Sequence, residues 1–119
     1  MATVRYLVHD LAAAIGFYRD LLGFSLVEQR GAAFAIVERG DLSLWLSGPQ
    51  TSAAQPMPDG RVPVPGGWNR LVLEVDDLAG LVAKLDHASF RNAIIRGPGG
   101  QQIMLDDPSG NPIELFQPA

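Results

Sequence analysis

The chain has 119 residues, a length that fits one compact domain and is too short for two ordinary independent ones. A composition of 47% apolar and 18% charged residues is typical of a globular protein, and a net charge of −4 argues against nucleic acid or an anionic membrane as a partner. There is no cysteine, and no stretch approaches the roughly 20 apolar residues of a membrane-spanning helix, so we expect a soluble cytoplasmic protein.

The first part of the chain predicts one helix among several strands. Alternating side chains in ATVRYLVHD are typical of a strand. Asp10 is then placed as the N-cap of an amphipathic helix that ends at Gly23. Three short strands are predicted after the helix, at residues 24–29, 33–38 and 41–47. This part, about residues 1–48, therefore has the order β-α-β-β-β.

Residues 49–68 interrupt this pattern. The segment is rich in proline and glycine and has no hydrophobic periodicity, which predicts a linker or a lid. Met57 and Trp68 are the candidates to cover a cavity if the segment is a lid. A plain linker is the favoured interpretation.

The order of elements then repeats in residues 69–119. A strand and a helix capped by Asp77 are followed by predicted strands near residues 92–96, 101–106 and 111–116. Aligning the helices pairs Asp10 with Asp77, an offset of 67, and aligning the last strands pairs Leu44 with Ile113, an offset of 69. The repeat predicts an α+β fold of two tandem β-α-β-β-β modules and disfavours two unrelated halves.

Two motifs make the chain resemble the vicinal oxygen chelate superfamily, which contains glyoxalase I, methylmalonyl-CoA epimerase, extradiol dioxygenases and bleomycin-resistance proteins. DLAAAIGFYRDLLGF is similar to the superfamily's Asp-Leu, Phe-Tyr, Leu-Gly-Phe signature, and DDPSGNPIEL to its Asp-Pro-x-Gly-Asn ending. The resemblance covers almost the whole chain. It implies two modules whose curved sheets surround a cavity, usually in a homodimer and sometimes with the cavity shared between chains.

The resemblance also implies four metal-binding positions, which hold mostly His and Glu in the superfamily's enzymes. Here the corresponding positions hold Thr3, Trp45, Arg70 and Glu114. Transition metals need imidazole, carboxylate or thiolate donors, and only Glu114 supplies one. The two histidines, His9 and His87, lie at non-equivalent places in different modules and are interpreted as surface residues. We therefore expect neither a metal nor another cofactor.

Strand alternation extends the predicted cavity beyond these four positions. The predicted ligand-binding residues are Thr3, Arg5, Trp45, Arg70, Glu74, Glu114 and Phe116, and the same faces carry Leu7, Ser43, Ser47 and Val72. Trp45 either stacks on a planar ligand or packs in the core. Arg70 and Glu114 either present polar groups to a ligand or form a salt bridge that replaces the metal as a link between strands. Arg5 and Glu74 are favoured as solvated charges.

These features favour a metal-free small-molecule binding protein, similar to the bleomycin-resistance branch, with a planar or amphipathic ligand. The alternative is a glyoxalase-like lyase, isomerase or dioxygenase-related enzyme, with a rearranged metal site or with Glu114 as general base and Arg70 stabilising an oxyanion. A guanidinium beside Glu114 stabilises the ionised carboxylate and weakens it as a base, which favours binding. An interaction module with a vestigial cavity is a third hypothesis. Asp106 and Asp107 are interpreted as turn residues.

Overall fold

The structure is a computed structural model that describes residues 1–119, and it has the predicted α+β fold. In chain order the elements are β1 (Ala2–Leu7), α1 (Leu11–Gly16), β2 (Ser25–Arg30), β3 (Phe34–Arg39), β4 (Leu42–Ser47), β5 (Leu71–Glu74), α2 (Leu78–Lys84), β6 (Ser89–Phe90), β7 (Ile95–Gly97), β8 (Gly100–Asp106) and β9 (Pro112–Pro118). A π-helical turn, Phe17–Leu21, continues α1, and a single 3-10 turn, Ser52–Ala54, lies after β4. No helix has the length and apolar character needed to cross a bilayer.

Each of the two predicted modules, module 1 (about residues 1–48) and module 2 (residues 69–119), forms its own mixed sheet. In module 1 the strand order is β1-β4-β3-β2, and β1 runs parallel to β4 while the other pairs are antiparallel. In module 2 the order is β5-β9-β8, with β6 and β7 pairing one after the other along β8. The second sheet therefore repeats the first, with its outer strand divided into two pieces.

The division of that outer strand corrects the single strand predicted near residues 92–96. Between β6 and β7 the side chain of Asn92 accepts a hydrogen bond from the backbone N–H of Met104, at 3.1 Å. A side-chain amide thus replaces a backbone carbonyl in the ladder, and regular pairing stops there. The two predicted helix caps are present, since the side chains of Asp10 and Asp77 accept hydrogen bonds from Ala13 N and Gly80 N, each at 3.1 Å.

Each sheet has one face packed on the hydrophobic core and an opposite, more open face, on which Ser43, Ser47 and Glu114 are nevertheless buried. In β4, Leu44 and Leu46 are fully buried, whereas Trp45 between them lies half-buried on the open face. In β9, Ile113 and Leu115 are buried in the same way. The packed faces of both modules belong to one hydrophobic cluster, so the two open faces look away from a shared core.

A buried polar network centred on Asp107 joins the modules. Tyr18 Oη donates a hydrogen bond to Asp107 Oδ2 at 2.7 Å, and the backbone N–H groups of Ser109 and Asn111 donate to Oδ1 at 2.8 and 2.9 Å. Asn111 Nδ2 donates both to Asp107 Oδ2, at 3.0 Å, and to the Leu7 carbonyl, at 2.7 Å. Burial raises the pKa of Tyr18 far above its usual value and the neighbouring Asp107 raises it further, so the phenol stays neutral and donates.

Candidate functional site

The open face of module 1 carries an aromatic and cationic cluster. Arg5 on β1 is directly opposite Trp45 on β4, and its guanidinium carbon lies 5.1 Å from the centre of the Trp45 ring. Arg5 Nη1 also donates a hydrogen bond to Ser47 Oγ at 3.1 Å. The ring of Phe34 on β3 meets Trp45 nearly perpendicularly, with 5.8 Å between ring centres. Strand register alone therefore places a cation and two aromatic rings side by side.

This cluster forms the wall of a cleft of about 310 Å³, which we call the Trp45 cleft. Its lining residues are Arg5, Arg30, Phe34, Trp45, Thr51 and Ser52. Arg30 on β2 lies over the Phe34 ring, 5.7 Å from its centre, and its Nε pairs with Glu28 at 2.8 Å. The lining thus combines aromatic surface, hydroxyl groups and guanidinium groups, and contains no carboxylate.

The open face of module 2 carries an ion pair. Arg70, one residue before β5, reaches Glu114 on β9, with Nε 3.0 Å and Nη2 2.9 Å from the same carboxylate oxygen. The Glu114 side chain is 10% exposed and that of Arg70 is 28% exposed. The carboxylate is therefore shielded from water, whereas the guanidinium is in partial contact with it. Such a pair links the two strands and can also present guanidinium donors to a ligand.

The ion pair lies in a second cleft of about 310 Å³, which we call the Glu114 cleft. Trp68 stands at its rim with 71% of its surface exposed, and the Arg91 guanidinium carbon lies 4.7 Å from the centre of its ring. Arg91 is in turn held by Asp106, whose Oδ1 is 2.6 Å from Nε. Met104 supplies apolar surface to the floor. The contact between Arg91 and Trp68 therefore holds the end of the 49–68 segment beside the ion pair.

The seven predicted binding residues fall into two groups within the chain. Thr3, Arg5 and Trp45 belong to the module 1 face, and Arg70, Glu74, Glu114 and Phe116 belong to the module 2 face. Arg5 and Trp45 line the Trp45 cleft, Arg70 and Glu114 line the Glu114 cleft, and Glu74 borders a different depression beside Arg39. Thr3 and Phe116 line neither of the two clefts. One chain does not bring the two groups into a common cavity.

Sequence reasoning missed several residues that line the clefts, among them Arg30, Phe34 and Arg91. Phe34 alternates with the buried Ala35 along β3, so the alternation that located Trp45 applies to it as well. Arg91 follows a two-residue strand in an irregular stretch, where no periodic signal exists.

The donor set at the four metal positions does not fit a divalent metal. Glu114 is the one carboxylate among them, and Arg70 holds it, while hydroxyl, indole and guanidinium groups occupy the rest. No group of three or more His, Cys, Asp or Glu side chains is arranged to hold a metal ion elsewhere in the chain. No chemical step is therefore assigned to a metal.

The two tandem modules, with the Trp45 cleft on one sheet and the Glu114 cleft on the other, define the class of protein: they form the glyoxalase fold. The chain belongs to the Glyoxalase/Bleomycin resistance protein/Dioxygenase superfamily, whose family model matches residues 1–115. This match confirms the resemblance that the two sequence motifs indicated. No curated protein matches the chain significantly.

Solved structures with the same fold include both binding proteins and enzymes. The chain is 30% identical to TnmS3, an antibiotic binding protein from Streptomyces sp. CB03234, with a TM-score of 0.73 and coverage of 98% of this chain and 93% of that one. It is 23% identical to lactoylglutathione lyase from Agrobacterium tumefaciens, with a TM-score of 0.73 and coverage of 98% and 92%. The bleomycin-binding protein of Streptomyces verticillus, solved with copper(II)-bleomycin, is 22% identical, with a TM-score of 0.66 and coverage of 99% and 95%. The last two likenesses establish the fold alone.

Proposed function

We propose that the protein binds a planar or amphipathic small molecule without a metal. The observation that carries this proposal is the Trp45 cleft, where Phe34 and the Arg5 guanidinium flank Trp45. By the resemblance, the position of Trp45 holds a metal ligand in the superfamily's enzymes. Aromatic walls with a few polar groups are the usual lining of small-molecule sites. The likeness to an antibiotic binding protein at 30% identity supports the same function.

The separation of the two clefts supports a homodimer as part of this proposal. Each open face forms only one wall, because the core that joins the modules lies behind both of them. A second copy that brings its Glu114 cleft over the Trp45 cleft of the first would enclose a cavity with predicted residues on both walls. Small-molecule sites bury most of the ligand surface, which a single open sheet face does not achieve.

The enzyme alternative has no comparable support. A general base must be free to take a proton from the substrate. Glu114, the one candidate, instead accepts hydrogen bonds from Arg70. Elemental analysis of protein purified without chelators tests the remaining enzyme form, a rearranged metal site. We expect less than about 0.1 metal per chain, since metal sites need several donors of the right type, and a stoichiometric transition metal would overturn the metal-free proposal.

A ligand screen with the two tryptophans as a matched pair tests the binding function. Polycyclic aromatic compounds, including naphthalene and anthraquinone derivatives, are screened for an increase in the melting temperature Tm, and Kd values are measured by calorimetry. Trp45→Ala should weaken binding by about fivefold or more, since stacking on an aromatic ring contributes about 1 kcal/mol or more. Trp68→Ala, at the exposed rim, should change Kd less. A screen in which no compound binds wild type more tightly than Trp45→Ala refutes the proposal.

A further inference from the structure

We propose that the Trp45 cleft selects an aromatic ligand that carries an oxyanion, such as a carboxylate, sulfonate or phosphate, and that Arg5 binds this group. The inference rests on the proposed binding function and specifies its ligand class. It starts from the pairing of the arginines on the two open faces.

Arg5 differs from the other arginines of the clefts because it has no acidic partner. Arg30 pairs with Glu28, Arg70 with Glu114, and Arg91 with Asp106, at 2.8, 2.9 and 2.6 Å. No carboxylate of the chain lies within ion-pair distance of Arg5. A guanidinium that stays charged at all ordinary pH values is thus left uncompensated in a cleft whose lining contains no acid.

The Arg5 guanidinium is nevertheless oriented. The ring of Trp45 lies beside it, and Ser47 Oγ accepts one of its N–H groups. A guanidinium has five N–H donors, and the remaining donors of Arg5 have no acceptor in the protein. An oxyanion can take two of them in parallel, which is the strong bidentate geometry of arginine. These two contacts meet part of the cost of ordering the exposed Arg5 side chain in the free protein, and this favours affinity.

The surroundings of Arg5 define the rest of the ligand. Trp45 and Phe34 supply adjoining ring surfaces, and Thr51 and Ser52 close the cleft with hydroxyl groups. The charge of Arg30 is offset by Glu28, so Arg5 provides the net positive charge beside the rings. A neutral aromatic compound would leave the guanidinium without an acceptor when it displaces water, and a cationic one would meet it with like charge.

The test compares three anthraquinones of similar shape by calorimetry: the 2-carboxylate, the neutral 2-carboxamide and the cationic 2-aminomethyl derivative. Wild type should bind the carboxylate at least about tenfold more tightly than the carboxamide, because a hydrogen bond to a charged group is stronger than a neutral one. The cationic compound should bind most weakly. Arg5→Gln should remove the preference for the carboxylate over the carboxamide, and a circular dichroism spectrum like that of wild type shows that the variant is folded.

Arg61→Gln is the matched control, because it removes the same charge from an exposed side chain outside both clefts and should keep the preference. Equal affinity for carboxylate and carboxamide, with both lost in Trp45→Ala, would overturn the oxyanion inference and leave the binding function intact. A carboxylate preference that survives Arg5→Gln would overturn the assignment to Arg5. Failure of all three compounds to bind wild type would overturn the binding function as well.

Discussion

The Arg70–Glu114 pair tests how far an ion pair replaces a metal as the link between β5 and β9. The perturbation is a double-mutant cycle of Arg70→Met and Glu114→Gln. Exposed pairs contribute about 0–1 kcal/mol, and breaking a fully buried pair costs about 3–5 kcal/mol. With side chains 28% and 10% exposed, this pair lies between the two limits. We expect a coupling free energy of about 1–2 kcal/mol, scaled between those two limits.

The two single variants should show whether the ion pair raises or lowers the free energy of unfolding. Arg70→Met leaves a mostly buried carboxylate without its partner and should lower the free energy of unfolding by about 2–3 kcal/mol. Glu114→Gln should cost less, since the more exposed guanidinium can turn to water. The double variant should be more stable than Arg70→Met alone, because the orphaned carboxylate is gone. Urea unfolding followed by circular dichroism measures all four proteins.

The exposed pair between Arg61 and Asp59 provides the control cycle, with side chains 84% and 54% exposed. Its coupling should stay below about 0.5 kcal/mol despite a shorter contact, because water screens both charges. A coupling for Arg70 and Glu114 no larger than that of the control would refute the reasoning from burial. The pair would then be free to turn toward a ligand at little cost to the fold.

Three further predictions concern the joint between the modules and the turn between β7 and β8. Tyr18→Phe should reduce the loss of stability as pH rises above 10.0, the usual pKa of tyrosine, because wild-type Tyr18 can ionise only when the chain unfolds; pH titration of urea midpoints measures this, and identical slopes would contradict it. Asp107→Ala should lower the free energy of unfolding by about 3 kcal/mol, since it leaves buried donors unpaired; a loss below about 1 kcal/mol in the same assay would contradict the network's role. Gly100→Ala should be strongly destabilising because φ is +146° and a Cβ would collide with the Gln117 carbonyl, whereas Gly97→Ala, with open space around it, should change Tm little.

Much of the fold could be predicted because the patterns that encode it are local. The side chains of Asp10 and Asp77 cap the two helices and so mark where each helix begins. The repeat is visible in the shared order of helices and strands. The alternation of side chains along β4 and β9 indicated that Trp45 and Glu114 lie on the opposite face from Leu44, Leu46, Ile113 and Leu115. These signals need only a few consecutive residues.

What escaped prediction depends on contacts between distant residues. The split of the outer strand follows from one side-chain hydrogen bond, between Asn92 and Met104, and no periodicity announces it. The direction in which the open faces point follows from how the modules dock, and this depends on bonds such as that between Tyr18 and Asp107, 89 positions apart in the chain. Sequence patterns define which side chains share a face, but not which faces meet.

The position of the joint between the modules separates two functions within this small protein, holding the modules together and lining the clefts. The second acid of the DDPSGN stretch, Asp107, stabilises the joint from behind the sheets and lines neither the Trp45 cleft nor the Glu114 cleft. Side chains on the open faces can therefore be exchanged without removing a bond that holds the modules together. For protein engineering, this makes the open faces of β1, β3 and β4 a surface on which ligand preference can be redesigned at low risk to folding.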